Sequence, residues 1–183
     1  MLQIIIIVLL VAADQLTKFL LWPTLATYPD GSMPVIPDVL HFSYVKNTGA
    51  SFGMLPGMQV FFIVMTIIVL VAAVYIMIRY RDKHSRFIKV LIAVLFSGAL
   101  GNLIDRIAFG YVRDFIDFRL FDFWKWVFNI ADAALVIGAI LLGIYILFFY
   151  KDNKKPLLQT DADVSDVKGA QSKDDGGDDG AAG

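Results

Sequence analysis

FNIADAALVIGAILLGIYILFFY, Phe128 to Tyr150, is an apolar run with a single charge, Asp132. It is long enough to cross the roughly 30 Å hydrocarbon layer of a bilayer, which takes about 20 residues as a helix. Backbone polar groups in lipid must bond within their own segment, so a helix is the form that fits. An ionised carboxylate at membrane depth is costly and ordinarily serves a function. Three further runs share the pattern. Leu2 to Leu21 is interrupted by Asp14 and Lys18, Gly57 to Ile78 carries no charge, and Val90 to Ala108 is apolar up to Asp105 and Arg106. The first run lacks the basic start and small-residue cleavage site of a secretory signal peptide, so it is expected to be a retained span. The expected fold is an all-α membrane protein with four transmembrane helices.

Composition agrees. The 183 residues are 58% hydrophobic and 18% charged, with a mean hydropathy of +0.68. That is too apolar for an ordinary soluble domain. No cysteine is present, which removes disulfides, a thiolate nucleophile and Cys-ligated metals from consideration. Two histidines, His41 and His84, are too few for a His-rich metal site and are expected at the surface. No metal or cofactor and no nucleic-acid partner are expected, and a monomer is. The net charge of −1 is unevenly divided: Pro156 to Gly183 holds seven Asp and two Lys. That stretch cannot bury enough apolar surface to fold. The chain is thus expected as a membrane domain over residues 1–155 and a disordered acidic tail over 156–183.

Lys and Arg set the expected orientation. Arg79, Arg81, Lys83, Arg86 and Lys89 lie between the second and third runs, and Lys151, Lys154 and Lys155 follow the fourth. These ends are expected in the cytoplasm, with both termini. Trp22, Trp124 and Trp126 then fall at the outer boundary as interfacial anchors, with Tyr80 and Tyr150 at the inner one. The embedded polar residues collect toward the outer side, and the cytoplasmic halves are almost purely apolar. Such a focus suggests a site at one interface and argues against a conduit.

Spacing brings these residues together. Asp14 and Lys18 are four apart and share a helical face, as do Asn102 and Arg106. Asn129 and Asp132 are three apart. Gly98 and Gly101 leave the third helix thin beside Asn102, which permits close helix contact. Asp14 with Lys18, and Asp105 with Arg106, read equally as packing contacts or as parts of a site. Asp132 has no basic residue at helical spacing, since positions 128 and 136 are Phe and Val, and reads as functional. Asp117 and Asp122 are expected to be solvated or paired with Arg119 or Lys125. DFRLFDFWKWVF, Asp117 to Phe128, alternates rings and charges and is expected to lie along the membrane interface. Val39 to Val45 has the alternation of a short strand. KNTGASFG follows it as a turn, where Asn47 either caps the second helix or is held over the site.

In these motifs the chain resembles the lipoprotein signal peptidases, also called signal peptidase II. The resemblance rests on DQLTK (Asp14 to Lys18), VKNTGASFG (Val45 to Gly53), SGALGNLIDR (Ser97 to Arg106), YVRDFIDF (Tyr111 to Phe118) and FNIADAAL (Phe128 to Leu135). They occur in the family's order and run from the first span to the fourth. One departure is Ser97, where the family usually has Gly. The resemblance implies a four-helix aspartic endopeptidase of the bacterial inner membrane with a small extracytoplasmic β-platform. It implies a substrate, a prolipoprotein whose Cys carries diacylglycerol, cut just before that Cys, and inhibition by globomycin. It implies a catalytic pair, Asp114 and Asp132, surrounded by Asp14, Asn47, Asn102, Arg106 and Asn129. Lys18, Gly49 and Asp105 lie in the same motifs and are counted as supporting.

Chemically, two close carboxylates share one proton, so one acts as general base on water and the other as general acid. Asp132 is expected on a helix and Asp114 on a segment that moves into place when substrate docks. Two other readings of the polar residues remain: a proton relay through Asp14, Lys18, Asp105 and Asp132, and a metal-assisted lipid phosphatase.

Overall fold

The computed structural model describes residues 1–49, 57–79, 85–119 and 126–149. Helices α1 (Leu2–Thr27), α2 (Gln59–Arg79), α3 (Arg86–Phe109) and α4 (Ile130–Phe148) are each long and apolar enough to cross a membrane. Their large apolar side chains are mostly exposed, and α2 buries only Leu70. A greasy helix that exposes its side chains suits lipid as its solvent.

The third helix is the hub. It buries Leu91, Ala93, Ser97, Gly98, Gly101, Asn102, Leu103 and Asp105. Glycines set its distance from α4. A Cβ added at Gly98 would collide with the Ala131 carbonyl oxygen and meet Leu135 Cγ at 2.8 Å. One added at Gly101 would meet Asp14 Oδ2 at 2.8 Å and Ala131 Cβ at 3.1 Å. Backbones packed this closely need small residues at the contact. Ser85 begins α3 by accepting the Ile88 N–H at 3.3 Å. Gly110 ends it in the left-handed region, φ 77°, with its N–H on the Arg106 carbonyl. That conformation suits glycine and turns the chain into the following strand.

Four strands form one antiparallel sheet, in the order β1 (Ser32–Ile36), β2 (Leu40–Asn47), β3 (Val112–Phe118) and β4 (Val127–Phe128). The tight turn between β1 and β2 places Asp38 at φ 60°, a conformation aspartate tolerates better than most residues. β1 follows α1, β3 follows α3 and β4 precedes α4, so the sheet gathers at one end of the helices. The pairing of β2 with β3 sets Val45 opposite Asp114 and Asn47 opposite Val112.

Several expectations are revised. The small sheet agrees with the β-platform that the resemblance implies, and it is more extensive than the single strand read at Val39 to Val45. Asp114, expected on a segment that moves into place, lies on strand β3. The first helix does not stop at Leu21 but runs through Pro23 to Thr27, with Leu25 fully buried past the proline. Burial of Leu25 offsets the bond Pro23 cannot donate. Trp22 packs against Tyr44 with ring centroids 4.1 Å apart, and also against Tyr111. His41 is half-buried in β2, with its Nδ1 3.1 Å from Ser32 Oγ. The acidic tail, Arg81, Lys83, His84, Tyr80, Tyr150, Lys151, Lys154, Lys155, Trp124, Lys125, Asp122 and the second half of the KNTGASFG turn, residues 50–53, lie outside the described residues.

Candidate active site

At the end of the bundle that carries the sheet, Asp114 and Asp132 come together through three asparagines. Asp114 sits on β3 and is 1% exposed. Its Oδ1 accepts from Asn129 Nδ2 at 2.7 Å, and its Oδ2 from Asn47 Nδ2 at 3.0 Å. Asp132 lies in the first turn of α4. Its Oδ1 accepts from Asn102 Nδ2 at 2.7 Å, and its Oδ2 from the Asn129 backbone N–H at 3.3 Å. Asn129 also donates to Asn102 Oδ1 at 3.2 Å. Each asparagine thus offers amide protons to groups that can only accept while ionised.

Local sequence makes this possible. Asn129 precedes α4 and its Oδ1 accepts the Asp132 N–H at 2.8 Å. With the reciprocal bond from Asn129 N–H to Asp132, the two form a capping box in which Asp takes the place usually held by Glu. Asn47 ends β2, and its Oδ1 accepts the Gly49 N–H at 3.0 Å. This small turn leaves the Asn47 amide free to reach Asp114. Of the two roles considered for Asn47, helix cap and turn over the site, the structure selects the turn, because α2 begins only at Gln59.

Burial is the chief reason that the Asp114 carboxyl is pushed up to about 7, and the negative charge of Asp132 adds to it. Hydrogen bonds from Asn47 and Asn129 and the charge of Lys18 oppose that rise. A carboxyl that holds its proton near neutrality beside a second carboxyl can serve as an acid. Arg106 supplies positive charge on the same side. Its Nη2 donates to the Gly49 carbonyl at 3.2 Å, and its guanidinium lies 5.5 Å from the Phe62 ring centroid. Among the described residues, its Nε is buried without a hydrogen-bond partner. A cavity of about 130 Å³ opens here, lined by Asn47, Thr66, Asn102, Arg106, Asp132 and Leu135 among others.

A second polar group lies behind the first. Asp14 and Lys18 pair at 2.8 Å, and Lys18 reaches Asp105 at 3.2 Å. Asp105 pairs with Arg113 at 2.7 Å, so its partner is not the neighbouring Arg106. The two side chains leave α3 in different directions, one toward α1 and β3 and the other toward the cavity. Among the described residues, no group of three or more His, Cys, Asp or Glu is placed to hold a metal ion.

Comparison with known proteins fits this geometry. A family model described as signal peptidase (SPase) II matches residues 6–148. The chain belongs to the signal peptidase II family. A lipoprotein signal peptidase of Caldanaerobacter subterraneus subsp. tengcongensis is 44% identical over 145 residues, covering 79% of this chain and 95% of that one. One from Clostridioides difficile is 43% identical over 149 residues, covering 81% and 97%. Two solved structures described as bacterial membrane enzymes superpose with TM-scores of 0.73 and 0.69, at 41% and 42% identity. They cover 84% and 80% of this chain, and 92% and 93% of their own.

In this signal peptidase II, Asp114, Asp132, Asn47, Gly49, Asn102, Arg106 and Asn129 make one cluster. Asp14, Lys18 and Asp105 make the group behind it. Two contributors were not foreseen. Gln15 donates to Asp14, Asp105 and the Gly101 carbonyl, and accepts from Arg113. Arg113 donates its backbone N–H to Asp105 at 2.9 Å as well as its guanidinium. The signal for Arg113 was its place beside Asp114, which does not by itself name a partner on another element. Asp117 pairs with Arg119 at 2.8 Å, one of its two expected partners, and is buried at Ser43 Oγ.

Proposed function

We propose that the chain is an aspartic endopeptidase that removes the signal peptide from diacylglyceryl-modified prolipoproteins, cutting just before the lipidated Cys. The observation that carries this reading is the buried meeting of Asp114 and Asp132 beside a cavity in a membrane peptidase family. The signal peptidase II family and its lipoprotein signal peptidase relatives support the substrate. An acyl chain on the scissile Cys remains in lipid, so a site at the helix ends lets the substrate arrive by diffusion in the membrane.

The ionised carboxylate of the pair takes a proton from water, whose oxygen attacks the scissile carbonyl carbon. The protonated partner donates to the carbonyl oxygen, giving a neutral tetrahedral diol. Collapse breaks the C–N bond as the leaving amine of the Cys takes a proton from the pair and a diol hydroxyl returns one to it. The two groups titrate as a unit, and the base and acid roles are assigned to the pair. Asn47, Asn102 and Asn129 orient the carboxylates. Arg106 supports a substrate carbonyl through its unpartnered Nε. The Lys and Arg bias of the connectors favours both termini in the cytoplasm and the site on the outer face of the bacterial inner membrane. The peptidase acts as a monomer with no cofactor, and a globomycin-type inhibitor occupies the same cavity.

The test is digestion of a purified diacylated precursor in the presence of a chelator, comparing wild type, Asp114→Asn and Asp132→Asn. Cleavage by the wild type alone supports the reading. Cleavage that survives in Asp132→Asn overturns the acid pair, and loss of wild-type activity to the chelator points to a metal.

A further inference from the structure

The two carboxylates of the proposed pair are held in a matching way. The residue before Asp114 is Arg113, whose backbone N–H donates to Asp105 Oδ2 at 2.9 Å. The residue before Asp132 is Ala131, whose backbone N–H donates to Asp14 Oδ1 at 3.0 Å. The holding carboxylates, Asp105 and Asp14, are both bound by one ammonium group, Lys18, at 3.2 and 2.8 Å. Lys18 and Asp105 have no exposed side-chain surface, and Asp14 has 1%.

From this we infer that Lys18 is a positioning residue that fixes the separation of the Asp114 and Asp132 backbones by bridging the two carboxylates that hold them. The inference rests on the proposed roles of Asp114 and Asp132 and goes beyond them. Without a cation between them, Asp14 and Asp105 would repel in a buried setting, where charges interact strongly. That repulsion would drive the start of α4 away from the start of β3. Asp14 itself serves α4 twice, as a hydrogen-bond acceptor and as a negative charge at a helix N-terminus. Gln15 spans the same two carboxylates at 3.0 and 3.2 Å, and Arg113 completes the set, so two positive and two negative charges balance within the group. Asp14, Gln15, Lys18, Asp105 and Arg113 do not line the cavity, which Asp132 does. Small displacements of reacting groups are costly in rate, on the order of a hundredfold for about 1 Å.

The test is the double variant Asp14→Asn with Lys18→Met, assayed on a purified diacylated precursor across pH. This change removes one charge of each sign, leaves the Asp105–Arg113 pair intact and keeps an oxygen to accept the Ala131 N–H. The expected result is a kcat lowered on the order of tenfold or more, with KM nearly unchanged. Lys18 opposes the upward shift of Asp114, so the pH profile should also move to higher pH. Asp114 faces Asp132 from α4, Lys18 from α1 and Arg106 from α3, and of these the double variant removes only Lys18. Wild-type kcat and pH profile in a folded double variant would overturn the inference. Should the double variant fail to fold, Asp14→Asn alone is read instead: a severalfold loss of kcat at constant KM supports the bridge, and a wild-type kcat overturns it. Asp114→Asn and Asp132→Asn run alongside as controls. Activity surviving in either of them overturns the acid-pair reading itself, whatever the double variant does.

Discussion

Asn129 and Asp132 cap each other across the first turn of α4: the Asn129 side chain accepts the Asp132 N–H at 2.8 Å, and the Asp132 side chain accepts the Asn129 N–H at 3.3 Å. The same Asn129 amide reaches Asp114 at 2.7 Å. One residue therefore starts the helix and joins the two carboxylates.

Asn129→Ala should for that reason cost both stability and rate. Loss of the cap costs about 1 kcal/mol, and the thermal melt in detergent reads it. Asp114 loses one of its two amide donors, so cleavage should fall on the order of a hundredfold, a range set by general acid–base catalysis. A variant with wild-type rate would remove Asn129 from the site.

The Asp114 carboxyl gives a pH prediction. Its folded value of about 7 lies above its ordinary 3.8, so folding favours the protonated form. The stability contributed is fully present below the ordinary value and is lost as pH rises through about 7. Melting temperature should therefore fall across that interval in the wild type and fall less in Asp114→Asn. On the proposed acid-pair reading, cleavage should decline as pH rises through the same range, because the shared proton is lost. A flat melting profile from acid to neutral pH would contradict this.

Gly98→Ala should separate α3 from α4. The new methyl meets the Ala131 carbonyl and Leu135, both on the turn that carries Asp132 or next to it. Overpacking of this kind costs about 1–3 kcal/mol, and activity should drop along with the melting temperature. Gly143→Ala on the same helix pair is the control. Nothing lies within 4 Å of its added Cβ, so both measurements should stay near wild type.

Asp117→Asn should change little in catalysis. Asp117 bonds Ser43 and Arg119, neither of which belongs to the candidate site. Cleavage within about twofold of wild type is expected, since a change remote from the chemistry adds independently. A hundredfold loss would extend the site across the sheet.

The spans and much of the cluster were legible in the chain. Asn129 and Asp132, or Asn102 and Arg106, declare a shared face by spacing alone, because a helix repeats every 3.6 residues. Asp14 and Lys18 pair as their spacing of four requires. What failed were contacts between elements. Asp105 stands next to Arg106, yet its partners are Arg113 and Lys18, since neighbours on a helix point apart. β3 was hidden because its residues Val112, Arg113, Asp114 and Phe115 are all buried, so the polar–apolar alternation that marks a half-buried strand is missing. Pro23 misplaced the end of α1, because the burial of Leu25 is a tertiary fact.

The bond from Ala131 to Asp14 spans 117 positions, joining α1 to α4. Until α4 emerges and docks, the nascent chain carries Asp114 without Asp132. On the proposed acid-pair reading, hydrolytic power therefore arrives in a single step, when α4 docks.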